Sequence, residues 1–345
     1  MGRFRLQVVL SQAQGKNPAK RALEEAIVAA LLVEPGIEVA VIPHLYDLDA
    51  KHPGRLCLEG IRSDMVILSW LYPRAAFWLL DRDGVQGREG TTLLKPAADE
   101  EEDAEAEPPK GIGALNPPDR WIYCLDLRDN DKHDPFIEEI RRIAAECRVR
   151  AEAKERDKAA APMMVDLGVK PAVNGKSAAN GNAAAAPVFA PEQLLQTPGR
   201  RWHPVIDYSR CTNCMECLDF CLFGVYGVDD QQRILVDQQD NCKKGCPACS
   251  RVCPEHAIIF PEYKTPAIAG APVGAIDSLK IDLTKLFGGA DAVVIAAQER
   301  DAELVKDGRQ AVGLTVGIPK RQANKPEGPK DDLDKLMDDL DAADL

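Results

Sequence analysis

The sequence predicts an α/β domain on a doubly wound parallel sheet, followed by a smaller α+β domain organised by cysteines. Three observations lead there. Strands and helices alternate over residues 1–150, an aromatic-poor stretch follows, and eight of the eleven cysteines fall between Cys211 and Cys253. At 345 residues the chain is long for one domain and suits two with connecting segments.

The elements follow in order. Residues 4–10 read as a short apolar strand. Residues 18–32 (PAKRALEEAIVAALL) space apolar side chains helically, with Pro18 suited to a first turn. Pro35-Gly36 ends that run, and residues 37–45 (IEVAVIPHL) form a second expected strand. Helices are expected at 54–62 and 74–80. Between them MVILSWLY is nearly all apolar, the pattern of a strand buried on both faces of a parallel sheet. Residues 121–127 (WIYCLDL) supply a fourth strand, and 134–147 the helix after it. This order resembles that of flavodoxin-like domains and, more distantly, the half-domains of tetrapyrrole chelatases. Neither resemblance carries residues over: the metal-handling histidines of the chelatases have no counterpart in His44, His52 or His133. The segment SQAQGKNPAK lacks both G-x-G-x-x-G and phosphate-loop spacing, so Gly15-Lys16 reads as a solvent turn.

Seven acids in the nine residues 99–107, followed by Pro108-Pro109, mark residues 96–110 as a solvated acidic insertion. Residues 151–200, with Phe189 as their only aromatic before Arg200, bury too little apolar area to offset chain entropy and read as a flexible linker. The cysteine-rich domain spans 201–264. A Pro/Gly-punctuated extension covers 265–330, with a helix expected at 279–287 and a strand at 292–297 (AVVIAA). Residues 331–345 (DDLDKLMDDLDAADL) place Leu333, Leu336, Met337 and Leu340 on one stripe of an expected acidic amphipathic helix, suited to docking a partner; the alternative is an acidic tail that only solubilises.

The formal charge of −12 argues against nucleic acid or an anionic membrane as main partner. The N-terminal apolar stretch is too short for a signal peptide, and no run approaches the roughly 18 apolar residues of a membrane span. A cytoplasmic protein is expected. Thiols stay reduced there, so eleven cysteines point to metal and not to disulfides.

The first run is Cys211-x2-Cys214-x2-Cys217-x3-Cys221 and the second Cys242-x3-Cys246-x2-Cys249-x3-Cys253-Pro254. Two-residue gaps let successive thiolates reach adjacent irons of a cubane, while a fourth cysteine, three further on, is expected where the chain has begun a helix, facing away toward a second site. Zinc more often uses Cys-x2-Cys knuckles separated by long spacers. The two runs repeat at an offset of 32, except that Cys211 maps onto Cys242 at 31. One residue is therefore added in CKKGC, where Gly245 can absorb the altered path. Apolar residues follow each fourth cysteine: Phe223, Val225 and Tyr226 in one half, Ala257, Ile258 and Phe260 in the other. Between the halves, GVYGVDDQQRILVDQ reads as a hairpin.

CTNCMECLDFC and CKKGCPACSRVCP make residues 203–263 resemble the bacterial-type two-cluster ferredoxin family. The resemblance implies two [4Fe–4S] clusters with crossed ligation. Cys211, Cys214, Cys217 and Cys253 hold one; Cys242, Cys246, Cys249 and Cys221 hold the other. Leu222 departs from the proline usual after the fourth cysteine, and CKKGC departs in loop length. Eight thiolates and two oxidised cores take the formal charge from −12 to about −16, which favours redox partners with basic docking faces.

The function implied is an iron–sulfur electron-transfer protein or subunit. One alternative is an oxidoreductase whose α/β domain binds a flavin or small substrate. Another is an assembly protein with structural clusters. No catalytic residue is assigned. Cys57, Cys124 and Cys147 have no ligand spacing and read as structural thiols. Trp70, Tyr72, Trp78 and Trp121 read as core packing near strand ends. His203 and His256 flank the cysteines without being assigned to iron.

Overall fold

The computed structural model describes residues 4–94, 111–114, 117–160, 191–272 and 292–317. The acidic insertion, residues 161–190 of the expected linker, the expected helix at 279–287 and the acidic helix at 331–345 lie outside the described residues.

The first part runs β1 (Leu6–Ser11), α1 (Pro18–Leu32), β2 (Ile37–Ile42), α2 (Pro53–Gly60), β3 (Met65–Ser69), α3 (Pro73–Arg82), β4 (Arg88–Glu89), β5 (Trp121–Asp126) and α4 (Asp134–Ala160). The five strands form one parallel sheet in the order β2-β1-β3-β5-β4. Prolines open α1, α2 and α3, where the missing N–H costs no helical hydrogen bond. Asn17 caps α1 by accepting from Ala19 N, and His52 caps α2 by accepting from Gly54 N.

Alternation along the strands divides the core. Val8, Leu10, Val66 and Leu68 face α1 and α4, whose Leu23, Ile27, Leu31, Ile140 and Ile143 cover them. Val9, Met65 and Ile67 face the other way, toward Leu58 of α2 and Ala75, Ala76 and Leu79 of α3. Helices on both faces explain why β3 reads as an unbroken apolar run. The first three strand positions, β2-β1-β3, follow the flavodoxin-like order. The far edge departs from it: β4 precedes β5 in the chain and pairs through only two residues, too short to leave a sequence pattern.

Two other expectations need correction. The helix after β5 continues to Ala160, beyond residues 147 and 150. Its last turns are rich in Ala, Glu, Lys and Arg, which favour helix without an apolar stripe. AVVIAA is not a strand. It opens α9 (Ala292–Lys306), whose Val293, Ala296, Ala297, Arg300, Asp301 and Leu304 are buried at three-to-four spacing. Six apolar residues alone do not distinguish a strand from a buried helix.

The cysteine-rich part comprises α5 (Pro191–Leu194), β6 (Val205–Ile206), α6 (Glu216–Phe220), β7 (Tyr226–Val228), β8 (Ile234–Val236), α7 (Ala248–Val252), β9 (Ile258–Ile259) and α8 (Pro266–Ala269). The expected hairpin is β7-β8, and β6 pairs antiparallel with β9. The β6-β9 ladder joins the two parts of the molecule. Val205 and Ile259 point into the core that contains α3, whereas Ile206 and Ile258 point among the cysteines. A one-residue slip in that ladder would exchange the two faces.

Candidate iron–sulfur centre

Each cysteine run begins as a loop and ends on a five-residue helix. The third cysteines, Cys217 and Cys249, lie inside α6 and α7. Cys221 and Cys253 instead follow the helices as extended C-caps, with φ/ψ of −78°/105° and −72°/114°. This corrects the expectation that the fourth cysteine sits where a helix has begun: both fourth cysteines follow the end of one.

The repeat extends to backbone conformation. Gly245 has φ +89° and its counterpart Asn213 has φ 59°; Gly224 has φ +68° and its counterpart His256 has φ 49°. Gly245 therefore serves a left-handed position common to both loops, besides absorbing the extra residue. At Asn213, which has a Cβ, the amide compensates: Nδ2 donates to Gln232 O at 2.8 Å, and Oδ1 accepts from Ile234 N at 2.9 Å. The chain after Leu222 follows the same turn as the chain after Pro254.

Two cavities receive the eight cysteines. One, of about 380 Å³, is lined by Cys211, Cys214, Cys217 and Cys253, with Ile206, Ile234, Ala257 and Ile258 among its apolar walls. The other, of about 330 Å³, is lined by Cys242, Cys246, Cys249 and Cys221, with Phe220, Phe223, Val225 and Tyr226 around them. The residues after each fourth cysteine thus wall the cavity that cysteine joins. Among the described residues, no three of His, Cys, Asp and Glu converge as they do around a single metal ion. Four thiols spread around a cavity fit a multi-iron core better than a tetrahedral zinc ion.

Donors point at the sulfurs. Backbone N–H groups of Phe223, Gly224 and Val225 serve Cys221, and those of Glu255, Ala257 and Ile258 serve Cys253. Asn213, Leu218, Lys243 and Ala248 supply one each to Cys211, Cys217, Cys242 and Cys246. Tyr226 Oη donates to Cys249 Sγ at 3.1 Å. Burial nevertheless dominates: it pushes the Cys211 and Cys246 thiols up to about 11 from 9.0 and raises Cys217, Cys221, Cys242, Cys249 and Cys253 as well. Neighbouring thiols reinforce the shift at Cys211, Cys217, Cys242, Cys246, Cys249 and Cys253. Amide-directed sulfurs in a dry wall need a cationic core to be held as thiolates, so the donor set fits an iron–sulfur group.

The α/β part buttresses this site. Gly111 N donates to Ser209 O at 2.7 Å, Ile112 N to Cys211 O at 2.9 Å and Gly113 N to Tyr208 O at 2.8 Å. Tyr46, fully buried, donates through Oη to His203 O at 2.6 Å and accepts from His203 N at 2.7 Å. Arg74 pairs with buried Asp207, and His44 Nε2 lies 3.2 Å from Glu262 Oε1. His203 is buried beside Arg82, with Nη1···Nε2 at 3.0 Å. Burial first, then the charges of Arg82 and Arg201, hold its imidazole well below the usual range. It is a neutral interface residue.

The remaining candidates have structural roles. Cys124 and Cys147 are buried on β5 and α4, and Cys57 is half-buried on α2. Trp78 is buried edge-on to Tyr208 at 5.8 Å, so it belongs to the contact between the two parts. Lys20, Arg128 and Arg150 lie over Trp70, Tyr72 and Trp121. His256 supplies the left-handed turn, and its carbonyl accepts from Arg74. Sequence reasoning missed Tyr46, Trp202, whose Nε1 donates to Cys246 O at 3.3 Å, and Arg300 on the wall of the second cavity. For Arg300 a signal existed: the three-to-four spacing that continues from AVVIAA into QERDAELVK.

Two apolar-walled, amide-lined cavities with four cysteines each are the setting of an iron–sulfur protein. Known proteins narrow this further. The chain is 46% identical over 66 residues to an uncharacterized ferredoxin of Methanocaldococcus jannaschii, covering 19% of this chain and 44% of that protein. It is 31% identical over 77 residues to pyruvate synthase subunit PorD of the same organism, covering 21% of this chain and 87% of the subunit. Over its cysteine-rich segment the chain belongs to the ferredoxin family. The first relative is matched over less than half its length. No family model and no solved structure matches the chain. Among the described residues, no helix is long and apolar enough to cross a membrane.

Proposed function

We propose that this chain is an electron-transfer protein, or a subunit of an oxidoreductase assembly, that relays single electrons through two [4Fe–4S] clusters. Cys211, Cys214, Cys217 and Cys253 hold one cluster; Cys242, Cys246, Cys249 and Cys221 hold the other. The observation that carries this reading is the grouping of those same fours around separate cavities.

When bound, such clusters supply one-electron transfer. The chain's own residues exclude water and direct amides at the sulfurs. Phe220, Phe223, Val225 and Tyr226 form the apolar wall on one side, and Ile206, Ile234, Ala257 and Ile258 form it on the other. The domain plan that goes with this reading is an α/β part whose last helix ends at Ala160, followed by the ferredoxin-type domain at 201–264. Partners are redox proteins with basic docking faces, in a reducing, cytoplasmic setting. One relative being named as a pyruvate synthase subunit supports a place in such an assembly.

The test is an anaerobic preparation of the full chain, followed through a cycle of reduction and reoxidation. A brown protein whose broad visible absorption bleaches and returns supports the reading. A colourless protein, a spectrum with flavin bands, or clusters without reversible redox response would overturn it.

A further inference from the structure

Resting on the two-cluster reading, we propose that Arg300, supplied by the C-terminal helix α9 and not by the ferredoxin-type segment, raises the reduction potential of the Cys221/Cys242/Cys246/Cys249 site above that of its neighbour. Helix α9 is built into that site. Ala296 packs with Phe220, Ala248 and Val252. One helical turn on, Arg300 is 1% exposed and lines the cavity that holds the four cysteines.

The guanidinium has little freedom to move away. Its Cζ lies 4.6 Å from the centre of the Phe220 ring. Nη1 donates to Val316 O at 2.9 Å and Nη2 to Gly313 O at 2.7 Å, while Nε faces Asp301 Oδ1 at 3.1 Å. Gly317, at φ +69°, lets the 311–317 segment lie against α6: a Cβ there would lie 2.8 Å from Asp219 O and 3.2 Å from Arg300 Nη1. Arg309 Nη1 donates to Leu222 O at 3.0 Å, so the extension grips the residue that departs from the family's proline.

Charges around the two cavities differ. The walls of the Cys211 cavity include Glu216 and Glu255 and no Lys or Arg. The walls of the Cys221 cavity include Arg300 and Lys243 and no acid. Lys243 is paired with Asp307 at 2.6 Å. The nearby acids are paired too: Glu299 with Arg251 at 2.8 Å and Glu303 with Lys306 at 2.5 Å. Asp301, the partner of Arg300, lines the groove on the other side of α9, and its Oδ2 accepts from Val312 N and Gly313 N. Arg300 is thus the buried cation that faces this cavity. An electron added to a buried site adds negative charge there, and a fixed cation on the wall stabilises the reduced form.

Cluster-resolved paramagnetic resonance during a redox titration of the reconstituted full chain tests this. In Arg300→Gln, the cluster that Cys221→Ala perturbs should shift to lower potential by about tenfold in its redox equilibrium, ~59 mV for one electron. The other cluster should stay in place. Arg300→Lys, which keeps the charge, should titrate close to wild type, and Asp301→Asn should move the same cluster the opposite way. Equal shifts of both clusters, no shift, or a Lys variant that behaves like the Gln variant would overturn the role of Arg300. If Arg300→Gln loses its clusters, Asp301→Asn decides: an upward shift of one cluster supports the proposal, and no shift overturns it. Absence of two clusters in the wild-type chain would instead overturn the reading beneath it, and the proposal with it.

Discussion

Cys253 lines the same cavity as Cys211, at the opposite end of the cysteine-rich segment, while Cys221 lines the other cavity with Cys242. The local cause is the end of each short helix. Extended φ/ψ at both fourth cysteines turns the chain out of α6 and α7, and three backbone amides converge on each of those sulfurs.

This exchange makes the two cysteines distinguishable. Cys221→Ala should disturb the cluster of Cys242, Cys246 and Cys249 and leave the other nearly intact. Cys253→Ala should do the reverse. Paramagnetic resonance of both variants checks the pairing, and the opposite pattern would refute it.

Tyr46→Phe tests the contact between the two parts. It deletes both bonds to the His203 backbone, leaving a buried N–H and a buried C=O unsatisfied, which costs about 1–3 kcal/mol. The denaturation midpoint should fall while iron content holds. An unchanged midpoint would show that the contact contributes nothing to stability.

Gly111→Ala tests the buttress under Cys211. An added Cβ would lie 2.3 Å from the Ser209 backbone, so the 111–113 segment must lift off the cysteine loop. Chelator should then strip iron from the Cys211 site faster than from the Cys242 site. Equal rates at both sites, as in wild type, would argue that the segment does not hold the loop.

Proton linkage has a definite sign. In the iron-free fold, burial raises Cys211 and Cys246 from 9.0 to about 11, so the folded chain holds these protons more tightly than the unfolded chain. Their contribution is complete below pH 9 and is lost as pH rises through 9 toward 11. The midpoint of the iron-free protein should therefore fall across that window, more than in a variant with Ser at both positions. Loading with iron and sulfide at neutral pH should release protons from the thiols. A midpoint that rises between pH 9 and 11 would contradict the burial of these thiols.

The sequence made much of this legible because strong patterns were local. Pro18 and the apolar spacing after it matched α1 at both ends, and the unbroken apolar run of β3 announced a sheet covered on two faces. The spacing of Cys211, Cys214 and Cys217 pointed to iron without any knowledge of the fold. Long-range pairing was harder to read. Nothing near Arg88-Glu89 predicts a two-residue strand, because β5, the strand it pairs with, lies thirty residues on and more. Tyr46 gains its role from His203, whose backbone lies far along the chain. AVVIAA resembled a strand until its apolar spacing was followed to Leu304, and with α9 came Arg300.

The most direct measurement is iron and acid-labile sulfide per chain, on full-length protein reconstituted without oxygen. Two four-cysteine sites predict about eight of each. A reproducible value near four, or zinc bound in stoichiometric amount in place of iron, would contradict the account.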